Sequence, residues 1–170
     1  GIKGNEESVK ATNFLIGLGC RKIGFIRHGT ENYTGLRFEG YMQACIGKNI
    51  YNKDYVKNIP QNSAQGKTQL QEWLNDVFPL DGIICSNGNL LHLLLTIFDE
   101  QKDKAADNIH IFSFDKNKWL DLLKYPVYSL EQPIEDIGSK ASEILLKRLE
   151  EEIFGLNNYY LDCEIVEHNK

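Results

Sequence analysis

Short apolar runs alternate with amphipathic stretches along almost the whole chain. The runs at 81–85 and 109–114 are typical of buried strands. Each is followed by residues typical of a connection to another strand, either apolar residues at helical spacing or turn-forming residues. Strands that alternate with helices at this spacing favour right-handed crossover connections and a parallel sheet. The sequence therefore predicts an α/β fold, a three-layer α/β/α sandwich with a mainly parallel sheet.

The periodicity of apolar residues assigns most of the chain to elements. Apolar residues at helical spacing predict five helices, over 6–18, 36–46, 68–77, 90–98 and 134–154. Short β-prone runs predict six strands, over 22–27, 55–59, 81–85, 109–114, 127–130 and 159–166. The helices at 14–18 and 90–98 carry more apolar residues than one core face needs, which predicts a surface for a partner.

Composition excludes several classes of function. The 170 residues suit one domain, or one lobe with a piece of another, and 42% hydrophobic residues allow a substantial core. A net charge of −5 argues against a nucleic-acid surface in this chain. No apolar run is long enough to predict a membrane span. The four cysteines are scattered without a Cys-x-x-Cys pair, which favours reduced, buried thiols over a metal site: Cys20, Cys45, Cys85 and Cys163.

The glycines near the start of the chain do not form a nucleotide-binding loop. Gly17 and Gly19 follow a predicted helix and precede a strand, whereas the dinucleotide fingerprint follows a strand and opens a helix. Gly19 instead suits the end of the first helix. We therefore predict no cofactor.

The tripeptide Arg27-His28-Gly29 resembles the Arg-His-Gly signature of histidine phosphatases, in which the histidine attacks phosphorus. That chemistry also needs a second histidine and further charged groups at the phosphate. The other histidines, His92, His110 and His168, lie in a helix, near a strand start and in the tail. A catalytic site is therefore not predicted, and His28 is interpreted as a loop residue after a strand.

Three polar residues stand where a parallel sheet presents groups to a ligand, beyond the carboxyl ends of its strands. Asp115 ends the strand pattern at 109–114, and Asn87 follows the pattern at 81–85. Arg37 begins a helix after a loop that contains Tyr33. Asn87 also suits a plain helix N-cap, and Asp115 suits a structural cap. Both interpretations stay open for these two residues.

Five motifs in order resemble the effector-binding core of LacI-type bacterial transcription regulators, which share the fold of periplasmic sugar-binding proteins. They are residues 11–26, similar to the family's A-x-x-L-I-x-L-G-H-R-R-I-A-F-I, then 37–41 (R-x-x-G-F), 81–88 (D-A-I-F-A-x-N-D), 111–115 (V-x-G-F-D) and 130–141 (Q-P-x-x-x-x-G-x-x-A). Two substitutions depart from these motifs. Cys20 replaces a histidine, and Gly88 replaces the aspartate that follows the asparagine.

The resemblance implies a periplasmic-binding-protein-like type I lobe and a division of the chain. We expect a C-terminal lobe over about 5–130, a hinge crossing near 130–133, a helix of the N-terminal lobe over about 134–154 and a returning strand over 159–166. The family's DNA-binding helix-turn-helix and the first part of its N-terminal lobe have no counterpart in these 170 residues. The chain is therefore expected to be a C-terminal fragment of such a regulator.

The resemblance also implies a function. A small effector, expected to be a carbohydrate, binds between two lobes and shifts their arrangement, which changes the DNA affinity of the absent domain. Arg37 is expected to contact the effector and Asp115 to bind sugar hydroxyls, with Asn87 and Tyr33 beside them. A cytoplasmic homodimer that is neither an enzyme nor bound to a membrane is expected. A solute-binding protein of the same fold is the alternative, and a histidine phosphatase is a third.

Overall fold

A computed structural model describes residues 1–29, 32–60, 63–101, 108–149 and 158–168. These residues contain the helices α1 (Gly4–Gly17), α2 (Asn32–Gly47), α3 (Ser63–Val77), α4 (Gly88–Gln101) and α5 (Ile134–Leu149). They also contain the strands β1 (Ile23–Arg27), β2 (Val56–Asn58), β3 (Gly82–Cys85), β4 (His110–Ser113), β5 (Val127–Glu131) and β6 (Glu164–His168). Short 3-10 turns span Lys53–Tyr55 and Lys118–Leu122.

All six strands form one sheet in the order β2-β1-β3-β4-β5-β6. The first five strands of this order run parallel, and only β6 pairs antiparallel with its neighbour β5. Because parallel neighbours need crossover connections, the helices between them must cover the faces of the sheet. The predicted α/β fold with a mainly parallel sheet is confirmed.

Alternate side chains of each strand enter two separate cores. Phe25, Ile84 and Phe112 pack on the face that α1 and α2 cover. Ile26, Ile83 and Ile111, the residues next to them in sequence, pack on the opposite face with α3 and α4. This period of two, with apolar residues on both faces, is the pattern of a sheet covered on both sides. The three layers α/β/α follow directly from it.

The apolar residues of α4 do not form a partner surface. All of its leucines except Leu93, together with Ile97 and Phe98, are buried in the core under the sheet. The prediction of surplus apolar residues is therefore wrong for this helix, because α4 packs against both the sheet and the Lys118–Leu122 turn region and buries more than one stripe. On α1, Leu15 and Ile16 are buried, while Leu18 just beyond the helix is 43% exposed.

The largest difference from the predicted elements lies at the last strand. The sequence pattern places it over 159–166, whereas β6 spans Glu164–His168. Residues 159–161 instead bond to the first residue: the Gly1 ammonium donates to the Tyr159 carbonyl at 2.9 Å, and the Leu161 amide donates to the Gly1 carbonyl at 3.0 Å. His168 is accordingly not in a free tail but at the buried end of a strand.

The segment before β6 is also held by α1. Glu7, a buried carboxylate, accepts a hydrogen bond from the Cys163 amide at 3.1 Å, and the Lys10 ammonium donates to the Cys163 carbonyl. The backbone amide and the backbone carbonyl of Cys163 are therefore both hydrogen-bonded to side chains of α1. These contacts fix the path that the chain takes as it returns to the sheet.

Helix α5 differs from the other helices because it has no buried residue within its described length. Its apolar side chains Ile134, Leu145 and Leu149 are strongly exposed. The helix was predicted over 134–154, and its residues after 149 lie outside the described part of the chain. No helix among the described residues has the length and apolar character needed to cross a membrane.

Candidate ligand-binding site

The sheet order places one crevice between the carboxyl ends of β1 and β3. From β1 the chain crosses to β2 on one side, and from β2 it returns past β1 to β3 on the other side. Such a switch point separates the connecting loops and leaves an opening where ligands of doubly wound sheets bind. The residues that follow β1 and β3, His28 and Asn87, both line this opening.

Asn87 joins β3 to α4 and caps that helix. Its side-chain oxygen accepts a hydrogen bond from the Leu90 amide at 3.0 Å, which is the N-cap arrangement. The N-cap interpretation of Asn87 is therefore confirmed. The half-buried side chain lines the cleft as well, so capping does not remove it from the opening.

Asp115 follows β4 and bonds to the same helix end. One carboxylate oxygen accepts from the Gly88 amide at 2.7 Å, and the Asp115 amide donates to the Ser113 hydroxyl at 3.2 Å. The structural-cap interpretation of Asp115 is thus confirmed. A carboxylate has about four acceptor positions, so the bond to Gly88 leaves acceptors for a ligand.

Arg37, on the first turns of α2, is the charged group at the centre of this region. It is only 8% exposed, and its guanidinium donates to the Ser86 carbonyl at the end of β3. The guanidinium also lies 4.4 Å from the centre of the Phe114 ring and 5.4 Å from that of Tyr33. Burial lowers the pKa of Arg37, whereas the negative charge of Asp115 opposes that shift.

These contacts bring the four predicted residues together. The Tyr33 ring lies over the Arg37 guanidinium, which donates to the carbonyl of Ser86, the residue before Asn87. The negative charge of Asp115 favours the charged form of Arg37 and so opposes the lowering of its pKa by burial. The four residues come from three parts of the chain: Tyr33 and Arg37 from α2, Asn87 from the start of α4, and Asp115 from the segment after β4. Two of them lie beyond strand ends and two lie on a helix, so no single stretch of sequence contains the cluster.

The cleft beside this cluster has a volume of about 550 Å³. Five lining residues were not predicted as part of it, the polar His28, Asn89 and His92 together with Pro60 and Leu93. Asn89 and His92 stand three residues apart on α4, a spacing that places them on one helix face. This spacing, together with a helix that starts just after β3, could have predicted that both residues line the cleft. They were not predicted because most of the residues around them are leucines.

The shared position of His28 and His92 bears on the phosphatase alternative. The sequence interpretation separated the two histidines, and the structure corrects this because both line one cleft. However, the Arg27 guanidinium lies over the Phe38 ring at 4.3 Å. The N-terminus of α4, beside the cleft, already holds the Asp115 carboxylate. A phosphate in the cleft would therefore face a negative charge where it needs positive groups.

A second constellation has the residue types of a hydrolase triad. His168 Nε2 lies 2.8 Å from the Ser129 hydroxyl, and its Nδ1 lies 2.5 Å from an Asp121 carboxylate oxygen. Ser129 and His168 are buried, so a substrate has no access to the hydroxyl. The three residues instead connect β5, β6 and the Lys118–Leu122 turn.

The described residues contain no group of three or more histidine, cysteine, aspartate or glutamate side chains that could hold a metal ion. All four cysteines are buried free thiols. Burial raises the pKa of Cys20 to about 11 and that of Cys45 to about 11, so these thiols are protonated at neutral pH. Such cysteines act as small apolar side chains.

Comparison with known proteins gives one family match. The model of the periplasmic binding protein-like domain matches residues 12–167. One curated relative is the HTH-type transcriptional regulator RegA of Clostridium saccharobutylicum, which is 25% identical over 98% of this chain and 50% of its own length. Another is the ribose operon repressor of Halalkalibacterium halodurans, which is 24% identical over 92% of this chain and 47% of its own length. The chain thus spans about half the length of these relatives.

A solved structure supports the same fold. The transcription regulator CcpA of Lactococcus lactis superposes with a TM-score of 0.80 at 24% identity, and the match covers 97% of this chain and 61% of that chain. At this level of identity the likeness concerns the fold. Together with the matched domain, it supports a periplasmic-binding-protein-like fold for this chain.

Proposed function

Because the chain belongs to the periplasmic binding protein-like domain family, in the form that LacI-type transcription regulators use as their effector-binding core, we propose that it senses a small neutral carbohydrate. The observation that carries this proposal is the cluster of Arg37, Asn87 and Asp115 beside a cleft at the switch point of the sheet. A guanidinium, an amide and a carboxylate can together bind adjacent hydroxyls as donors and acceptors.

The charges around the cleft favour a neutral ligand. Among the described residues, those that line it carry no fixed charge: His28, Tyr33, Pro60, Asn87, Asn89, His92 and Leu93. The start of α4, which would otherwise attract an anion, is bonded to Asp115. A phosphorylated sugar would therefore be repelled by the carboxylate, whereas a sugar hydroxyl would donate to it.

In the complete protein, we propose that effector binding changes the affinity of a helix-turn-helix domain for DNA. The division of the chain suggested by its motifs fits this proposal. The unburied helix α5 follows the crossing near 130–133, and its exposed apolar face suits packing against a second lobe. The complete protein would then work in the cytoplasm and without catalysis. A secreted solute-binding protein is the alternative, and the sequence before Gly1 distinguishes them.

We also propose that the complete protein is a homodimer. Of the two segments predicted to supply the contact, 14–18 and 90–98, the first leaves an apolar residue strongly exposed, Leu18 just beyond α1. Sedimentation velocity at micromolar concentration is expected to show a dimer. Leu18→Glu is expected to weaken dimerisation about tenfold, the effect of losing one partly buried leucine. A wild-type protein that stays monomeric at every concentration would contradict the proposal.

The test of the proposed function is Asp115→Asn in the complete protein. Loss of one charged acceptor is expected to reduce affinity for the bound sugar by about 1.5–3 kcal/mol, or about ten- to a hundredfold. The melting temperature is expected to stay the same, because an amide oxygen can still accept from the Gly88 amide. Calorimetric titration with a panel of pentoses and hexoses, run beside thermal melts, measures both quantities.

Two further variants separate binding from capping. Asp115→Ala is expected to lose the same affinity and also about 1 kcal/mol of stability, because it removes the helix cap. Lys116→Gln is the matched control, since Lys116 forms an exposed ion pair with Glu131 outside the cleft. Unchanged affinity in Asp115→Asn would remove this residue from the site. A fall in stability without a fall in affinity would leave it as a cap alone.

A further inference from the structure

A second opening adjoins the cleft on the far side of the α4 start. It has a volume of about 400 Å³ and shares Asn87, Asn89 and His92 with the cleft. Its remaining wall consists of Gly88, Asp115, Asn117 and Trp119. We call this opening the Gly88 recess. Because the same three side chains border both openings, a ligand in the cleft can extend over the first turn of α4 into the recess.

The recess depends on the absence of a side chain at position 88. A Cβ atom on Gly88 would lie 3.2 Å from the side-chain amide nitrogen of Asn117 and 3.4 Å from a carboxylate oxygen of Asp115. Any longer side chain would occupy the space between α4 and the segment after β4.

The walls of the recess suit a neutral, hydroxylated ring. The Asn117 side chain makes no capping hydrogen bond to the Lys118–Leu122 turn that it precedes, so its amide can donate to and accept from a ligand. The partly buried Trp119 ring lies edge-on to the His92 ring, with centroids 6.3 Å apart. An aromatic surface with amides beside it binds the apolar face and the hydroxyls of one ring together.

From this geometry we propose that the effector has two linked neutral rings, one in the cleft and the second in the Gly88 recess, as in a disaccharide. This inference rests on the proposed carbohydrate function and adds the size of the ligand. It also assigns Asn117 and Trp119 as residues that determine specificity. The Asp115 carboxylate lines the recess, where it can accept from hydroxyls of the second ring.

The experiment compares single sugars with disaccharides on the complete protein. Calorimetric titrations use glucose and galactose against cellobiose, maltose and lactose. At least one disaccharide is expected to bind about tenfold more tightly than its component hexose. Asn117→Ala and Trp119→Ala are each expected to weaken that disaccharide about five- to tenfold, as for one lost hydrogen bond or ring contact, and to leave hexose affinity unchanged.

Leu122→Ala is the matched control, because Leu122 ends the same turn and is 85% exposed. Thermal melts show whether each variant is folded. If Trp119→Ala is destabilised, the disaccharide affinity of Asn117→Ala alone tests the proposal. Hexoses that bind as tightly as disaccharides, with no effect of either variant, would overturn the two-ring proposal and leave the carbohydrate function intact. Binding of glucose 6-phosphate in place of every neutral sugar would overturn both.

Discussion

Gly40→Ala is expected to reduce the free energy of unfolding by about 3 kcal/mol, the upper range for an overpacked site. Gly40 lies on α2 where that helix crosses α1. A Cβ atom there would lie 2.3 Å from the Asn5 carbonyl oxygen and 3.0 Å from the Val9 amide nitrogen. Both are backbone atoms of α1, so no side-chain rotation relieves the contact, and the two helices must separate.

The same substitution is expected to disturb the site. The Ser8 hydroxyl of α1 donates to the Arg37 carbonyl, one helical turn before Gly40. Separation of the helices would break this bond and displace the guanidinium from the Ser86 carbonyl. Effector affinity is therefore expected to fall together with stability. The glycine in the R-x-x-G-F motif thus has a structural reason beside the arginine's proposed contact.

Gly17→Ala and Gly138→Ala are the matched controls. Both glycines are helical, and a Cβ atom at either position meets nothing within 4 Å. Alanine is intrinsically better than glycine within a helix by about 0.5–1 kcal/mol, so these variants are expected to be neutral or slightly more stable. Urea denaturation followed by circular dichroism measures all three. A Gly40→Ala protein as stable as Gly17→Ala would show that the helices do not cross as closely as described.

His168→Ala is the second substitution with a large expected effect, a loss of about 3 kcal/mol. The imidazole is 2% exposed and bonds to both Ser129 and Asp121. Its removal leaves a cavity at the β5–β6 pair and a buried Ser129 hydroxyl without its partner. Because β6 pairs antiparallel and lies at the edge of the described sheet, we expect this strand to separate first. Hydrogen exchange of its amides would report that separation.

Asp121→Ala tests the same network from its exposed end. Asp121 is 69% exposed, so its interaction with the imidazole is weakened by solvent, and its loss is expected to cost no more than about 1 kcal/mol. The double variant Ser129→Ala/His168→Phe is expected to cost less than the two single changes together, because it removes both members of a buried pair. Equal losses in His168→Ala and Asp121→Ala would contradict a buried network.

The sequence predicted the layers well because the decisive signals are local. The apolar runs that became β3 and β4, and the turn chemistry before α4, are contained within a few residues of one another. The last strand was misplaced because its position depends on β5, which lies far away in sequence. His168 belongs to β6 through its pairing with Val127 of β5, and its imidazole bonds to Ser129 and Asp121. No local sequence pattern contains these contacts.

The candidate site likewise has residues that local sequence signals predict and others that depend on contacts between distant elements. Asn87 and Asp115 could be predicted because each lies two residues beyond the end of a strand, and such positions meet at one edge of a parallel sheet. The burial of Arg37 could not be predicted, since it depends on Phe114 and the Ser86 carbonyl from other elements. The Gly88 recess also escaped prediction. Its space results from the distance between α4 and Asn117, which only the packed structure fixes.

The capping bonds of Asn87 and Asp115 have a consequence for the proposed signalling. Both side chains are immobilised by the start of α4, so their conformational entropy is already lost before an effector arrives. Binding to a preorganised surface requires little local adjustment. We therefore expect this lobe to respond as a rigid body. The free energy of binding would then change the angle between lobes, and backbone amides at 86–90 should show equally slow hydrogen exchange in the free and bound protein.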